Sequence, residues 1–459
     1  RSLRMTKLIV VHDDLFENLP DTWGYGPFGE YVDFQEGPGI LAKDFHETGV
    51  PLLRLKSIDS STATLNGCDF LDPQKVEKKW SHFKLSIGDL LLSSSASLGR
   101  VSEVDEHTEG SIAYTGIIRM RPSNGSITKG FIRYFLQSRP FFHQIERSAT
   151  GSVIKHFGPM HLKQMGITLP PLDDQKAIAH ILGTLDDKIE LNQKMNQTLE
   201  DIAKAIFKSW FVDFDPVRAK MEGRPTGLTP EIDELFPDEL VDSEIGETPK
   251  GWGVTSLGDV CEQVTKGTTP TSVGGKFSED GNILFVKVES VSEDGQLLPS
   301  KFAKIDEETD SLLKRSQLRE GDVLLSIAGT IGRSTIMPNR FLPANTNQAL
   351  AILRCRGKED FVLQTLRSDH IQKNFHSKIV QAVQANLSLG EIKATRCVLP
   401  PLGVHDQLID LIRKIREANE IREQETSILA ELRDTLLPKL ISGELRIPDA
   451  EKFLEEAGI

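Results

Sequence analysis

At 459 residues, 38% hydrophobic and 26% charged, the chain is too long for one ordinary domain, and no apolar run approaches the roughly 20 residues of a membrane span; about three soluble units and no membrane partner are expected. The four cysteines, Cys68, Cys261, Cys355 and Cys397, form no C-x-x-C pair, which argues against a zinc site or disulfide framework and for a reducing cytoplasm. The net charge of -13 opposes nucleic-acid binding by the chain as a whole, yet residues 20–172 carry 16 basic and 16 acidic side chains and residues 251–402 carry 18 and 17, so each segment is near neutral and can present a basic face.

The chain opens on an extension, residues 1–19, with no signal-peptide apolar core and with Met5 as the candidate initiator. Residues 20–172 mix short β-type runs at 52–55, 90–93 and 117–120 with a helix-like stretch near 131–147, an α/β pattern. Inside it lies Leu85-Ser-Ile-Gly88-Asp89-Leu-Leu-Leu-Ser93, followed by Gly99-Arg100, and it closes on Leu169-Pro-Pro-Leu172.

A long helix is expected over 173–215, capped by Asp173 or Asp174. Its 4,3 spacing runs through Ile178, Leu182, Leu185, Ile189, Asn192, Asn196, Leu199, Ala203, Ile206 and Trp210, a coiled-coil seam with a polar middle. Residues 216–250 hold five prolines and nine acidic against four basic side chains, and read as a Pro-rich acidic linker.

Residues 251–403 repeat the first globular segment. Leu318-Arg-Glu-Gly321-Asp322-Val-Leu-Leu-Ser326, then Gly332-Arg333, matches the earlier motif at eight of sixteen positions, and three further echoes keep its order: Pro20 to Trp23 with Pro249 to Trp252, 131–138 with 361–368, and Leu169-Pro-Pro-Leu172 with Leu399-Pro-Pro-Leu402. A second long helix follows over 404–441, with a seam through Leu411, Ile415, Ala418, Arg422, Glu425, Ile428, Leu432 and Leu436, and a tail over 442–459. The polar centre at Asn192, Asn196, Arg422 and Glu425 either sets register or lies where the helices splay. Each helix of about 37 residues spans roughly 55 Å. If a twofold axis crosses them, the stripes pair antiparallel and the helices act as a ruler between the globular domains; the alternative is that each helix packs on its own domain. The fold class expected is mixed α/β: two pseudo-repeated α/β domains separated by two long antiparallel coiled-coil helices.

Catalytic motifs are absent. No Asn- or Asp-Pro-Pro-aromatic loop is present, since both Pro-Pro pairs are flanked by leucine. Gly274-Gly275-Lys276 lacks the upstream glycine of a phosphate loop and carries Phe277 where a hydroxyl belongs. Pro237-Asp238 has no spaced nuclease partner, and the eleven histidines form no H-x-x-x-H pair. With aromatics at 7%, a single-strand stacking platform is disfavoured against duplex binding. A non-catalytic chain with no metal is expected.

The repeated domain-plus-helix layout, Lys208-Ser-Trp-Phe-Val-Asp-Phe-Asp215 after the first helix and Leu437-Pro-Lys-Leu-Ile-Ser-Gly-Glu-Leu445 after the second, resembles Type I restriction-modification specificity subunits over nearly the whole chain. The resemblance implies two target-recognition domains, each reading one half of a split double-stranded DNA site whose unread gap the helices set. It also implies two docked modification subunits that methylate adenine from S-adenosylmethionine, and two restriction subunits that translocate and cleave with ATP and Mg. None of those cofactors belongs to this chain.

Candidates for DNA contact follow. Ser94, Ser95 and Arg100, with their counterparts Thr330 and Arg333, suit backbone approach to a phosphate, and equally suit a structural hairpin. Ser152, Lys155 and His156, and Gln381, Gln384 and Asn386, offer donors and acceptors for base edges, or form an ordinary polar loop. Lys56, Ser57 and Lys287 are phosphate candidates by position. A rival reading is a pair of subunit-binding domains on a coiled coil without DNA affinity, which the acidic charge favours.

Overall fold

The computed structural model describes residues 19–94, 99–148, 157–381, 386–456 and 458. The chain forms two compact units, residues 1–193 with 423–459, and residues 194–422. Each unit takes one globular segment and half of each long helix, Leu172–Phe211 and Leu402–Ser442.

The internal repeat is a repeat of topology. In the first unit an antiparallel sheet runs in the order Val32–Glu36, Ile117–Pro122, Leu90–Ser93, Val101–Glu103. The second unit repeats it as Gln263–Lys266, Leu350–Arg354, Val323–Ser326, Ser334–Ile336. A second sheet in each holds one parallel pair, Val50–Leu53 with Ile112–Ala113 and Ile283–Val286 with Ala344–Thr346.

This topology accounts for the shared motif. Side chains alternate between sheet faces. Leu90 and Leu92 enter the core around Phe131 and Phe135, while Leu91 enters a second cluster with Leu53 and Ile58. Both faces are covered, so the three leucines are apolar without alternation. Gly88 and Gly321 turn with φ of 84° and 81°, a left-handed conformation that favours glycine. The next residue staples that turn: Asp89 accepts from Ser86 N at 2.8 Å and Asp322 from Arg319 N at 2.8 Å, and their buried carboxylates pair with Arg121 and Arg354. The Gly-Asp pair is thus structural in both copies.

In the first unit Ile178, Leu182, Leu185 and Ile189 share a core with Leu429, Leu436 and Leu440. Asp186 pairs with Arg433 at 2.9 Å and Lys188 with Glu425 at 3.1 Å, so one number falls as the other rises and the helices run antiparallel. In the second unit Ala203, Phe207 and Trp210 join Leu408, Ile409 and Ile412, with Ile206 and Ile415 partly buried beside them; Leu199 is also half-buried. These clusters also contain Phe131 and Phe361 of the globular segments. Helix pairing and packing on the domain therefore occur together.

The second seam needs correction. Leu411 and Ile428 are 39% and 65% exposed, whereas Ile412 and Leu429 are buried. The expected path began one residue early, at Leu411, and took two successive steps of three at 422, 425 and 428, a break in the 4,3 alternation that shifts its register. The observed path is a regular 4,3 alternation through 408, 412, 415, 419, 422, 426, 429, 433, 436 and 440, on which Ile415 and Leu436 lie; Leu432 is half-buried beside it.

The polar middle carries specific bonds. Asn192 Nδ2 donates to Glu425 at 3.0 Å in the first unit. In the second, Asn196 Nδ2 donates to Asn419 O and Asn419 Nδ2 to Asn196 O, each at 3.4 Å, while both Oδ1 atoms are buried without a partner. Replacing both members of such a pair by apolar groups is near neutral or stabilising, because an unmade buried hydrogen bond costs about 1–3 kcal/mol. N196L/N419L is therefore expected to match or exceed the parent in urea midpoint; a lower midpoint would show that the pair contributes net stability.

Residues 216–250, expected as a solvated linker, are folded. They carry the helix Asp215–Met221 and the hairpin Leu240–Ser243 with Gly246–Pro249, and Phe236 is buried between Trp210 and Trp252. Prolines at helix starts and acidic surface positions had masked these few aromatic anchors. The tail likewise forms a helix, Ile447–Glu456, whose Ala450 and Leu454 lie in the first unit's core.

Candidate DNA interface

In each unit the end of the central strand meets the segment that leads to the Pro-Pro strand. Phe157 N donates to Ser94 O at 3.3 Å in the first, and in the second Leu387 N donates to Ile327 O at 2.9 Å while Ala328 bridges to Asn386. The hairpin following the central strand thus meets the segment leading to the Pro-Pro strand, twice. The residues that flank the hairpin tip are held alike in both. Gly99 and Gly332 have φ of 93° and 98°, and Ser93 and Ser326 Oγ accept from the N–H of Arg100 and Arg333 at 3.0 and 2.9 Å. A Cβ on Gly99 would stand 2.2 Å from the Phe142 ring.

The individual candidates divide. Thr330 and Asn386 are exposed at the second unit's edge, and Lys56 is exposed in the first. Arg100 is exposed but ion-paired with Asp59. Arg333 donates to Val291 O at 2.8 Å and lies 3.4 Å from Glu293, and Lys287 pairs with Glu289 at 2.9 Å. Two candidates are corrected. Ser57 is fully buried, accepting from Arg54 N and donating to Asn66 O, and Ser94 is 4% exposed beneath the hairpin; neither can meet a ligand. Ser95, Ser152, Lys155, His156 and Gln384 lie outside the described residues, as does the side chain of Gln381.

Thr330 and Arg333 line a cleft of about 540 Å³ together with Lys204, Arg367, Gln372, His376, Glu293 and Asp294. Arg367 is its fixed member, donating to Ser334 O at 2.9 Å and Asp294 O at 3.2 Å and facing Glu200 at 3.5 Å. Burial pushes the Glu200 carboxyl up and the Arg367 guanidinium down, each against the attraction of the other. The pair fastens the first long helix to the end of helix Glu359–Arg367 within this unit. No spacing rule marks these residues in the sequence. The corrected seam was legible by contrast: adding the 230-residue offset between the two Leu-Pro-Pro-Leu motifs to the first stripe gives every position of the second.

Among the described residues no group of three His, Cys, Asp or Glu side chains is placed to hold a metal ion, and no helix is long and apolar enough to cross a membrane.

The chain resembles known proteins along most of its length. It is 26% identical over 365 residues to the Type I restriction enzyme MjaIX specificity subunit of Methanocaldococcus jannaschii, covering 79% of this chain and 78% of the relative. With the EcoBI specificity subunit of Escherichia coli it shares 25% over 442 residues, 93% of this chain and 87% of that one. The fold matches the crystal structure of a Type I restriction-modification S subunit from M. genitalium at a TM-score of 0.53 and 15% identity, over 92% and 96% of the two chains. The family model described as the Type I restriction modification DNA specificity domain matches twice, at residues 20–201 and 249–430, each span taking one globular segment and the start of the helix after it. With both copies in place, the chain belongs to that family and is a DNA-specificity subunit of the Type I restriction-modification class.

Proposed function

We propose that each recognition domain reads one half of a bipartite duplex site through the edge where hairpin and Pro-Pro segment meet, with Thr330 and Asn386 among the second domain's contacts. The observation that supports this is the duplication of that edge: in both copies a left-handed glycine and a serine hydroxyl hold the arginine after the hairpin, while the sequence between serine and glycine differs, Ser94 to Leu98 against Ile327 to Ile331. A shared scaffold with unlike tips suits two unlike half-sites. Two half-sites on one duplex face can both be read only at a fixed separation, since the DNA repeats about every 34 Å.

In this reading two modification subunits dock on the chain and two restriction subunits join them, in the cytoplasm. S-adenosylmethionine, Mg and ATP serve those subunits, and the chain contributes recognition alone. The test is adenine methylation of duplex DNA by the chain mixed with its modification subunit, with each component alone as control. Methylation of one split site by the mixture only, with exchange of residues 20–165 altering one half of that site, is expected. No sequence preference at any salt concentration would transfer the two domains to protein recognition.

A further inference from the structure

The two recognition domains share a topology and a near-neutral overall charge, but one equivalent helix differs in sign. In each, a short helix capped by an aspartate leads toward the Gly-Asp turn. The first is Pro73–Lys79, capped by Asp72; the second is Glu307–Leu312, capped by Asp306. The first carries Lys75, Lys78 and Lys79, and the second carries Glu307, Glu308 and Asp310 at the same place in the repeat.

Around the first helix the cations gather. Lys75 is held by Asp44 and Lys84 by Glu77. Lys43, Lys78 and Lys79 are exposed, with no ion pair among the described residues. Lys43 and Lys79 share one field with Lys75: the Asp44 carboxyl is held below the usual carboxylate range first by the hydrogen bond from Lys75, with the charges of Lys43 and Lys79 adding to it.

We propose that this lysine face grips the phosphate backbone beside the first half-site, and that the second domain, acidic at the equivalent helix, has no such grip. The proposal rests on the DNA reading above. Lysine suits the task. An ammonium on a flexible stem meets phosphate as a point charge without shape matching, and phosphate contacts fix position without reading sequence. A protein partner is the poorer fit, because protein interfaces are depleted in lysine. The consequence is a complex held unequally at its two ends.

The experiment uses the full chain assembled with its modification subunits, and a duplex carrying the site mapped by methylation. Binding is followed by fluorescence anisotropy over a salt series. Abolishing one lysine–phosphate interaction takes about 0.9 from the slope of log K against log salt, so K43Q/K78Q/K79Q is expected to flatten it by about 2 to 3 with sequence preference unchanged. Trimming the duplex flush with the first half-site should flatten the slope of the parent complex similarly. Trimming at the second should not, and E307K/E308K should steepen the slope on duplex extended at that end.

An unchanged slope in the triple variant, or equal loss from both ends, overturns the proposal. So does loss of modification-subunit assembly with an unaltered slope, which would make the face a protein contact. If the parent complex shows no site-specific binding, the DNA reading itself has failed, an outcome distinct from any of these.

Discussion

Arg416→Ala is expected to lower the unfolding free energy of the second unit by about 3–5 kcal/mol, the range for removing one partner of a buried ion pair. Asp360 is 4% exposed at the start of a helix in the globular segment, and Arg416 of the second long helix reaches it with two donors, at 2.6 and 3.3 Å. Without Arg416 the carboxylate keeps, among the described residues, only Arg413, at 3.8 Å. Removing Arg413 instead should cost under about 1 kcal/mol, as for a peripheral pair. D360L/R416M, which removes both charges and keeps the volume, should lie closer to the parent than R416A does. Urea denaturation of the four proteins checks the order. Equal midpoints for R416A and R413A would show that the bidentate pair is not what joins helix and domain.

The corrected helix seam predicts an equally sharp contrast between neighbours. Leu429→Ala should destabilise the first unit by about 2–5 kcal/mol, the cost of emptying a packed leucine site, whereas Ile428→Ala should change stability by no more than about 0.5 kcal/mol. The two residues are adjacent and similar in size, but one is 2% exposed and the other 65%. Thermal unfolding of the pair is sufficient, and a larger loss at Ile428 would restore the stripe expected from the sequence.

That contrast shows what the sequence carried. The duplication, the long helices and the first stripe were legible because each rests on a period that a chain must keep to bury one face. The second stripe was legible only through the repeat, since Leu411 and Ile412 are both apolar and a regular 4,3 alternation can be drawn through either. The fold of residues 216–250 was hidden because its stability comes from single aromatics such as Phe236 meeting Trp210 and Trp252, a tertiary event without period. The recognition edge was half legible. The Gly-Arg motif marks the hairpin in both copies, but Ser57 and Ser94 read as surface polar residues, and both are buried. Glu200 and Arg367 lie 167 positions apart, and nothing local announces that they meet.

The packing of helix Ile447–Glu456 into the first unit bears on how the protein is made. The second unit, residues 194–422, is continuous in sequence, so everything it needs has left the ribosome once that stretch has emerged. The first unit starts earlier but needs residues 423–459 to close its core with Leu429, Leu436, Leu440 and Ala450. During synthesis the domain that begins first must therefore finish after the second, holding the apolar face of Ile178, Leu182 and Leu185 uncovered while more than two hundred residues are added, and emergence of that last stretch becomes the step that completes it.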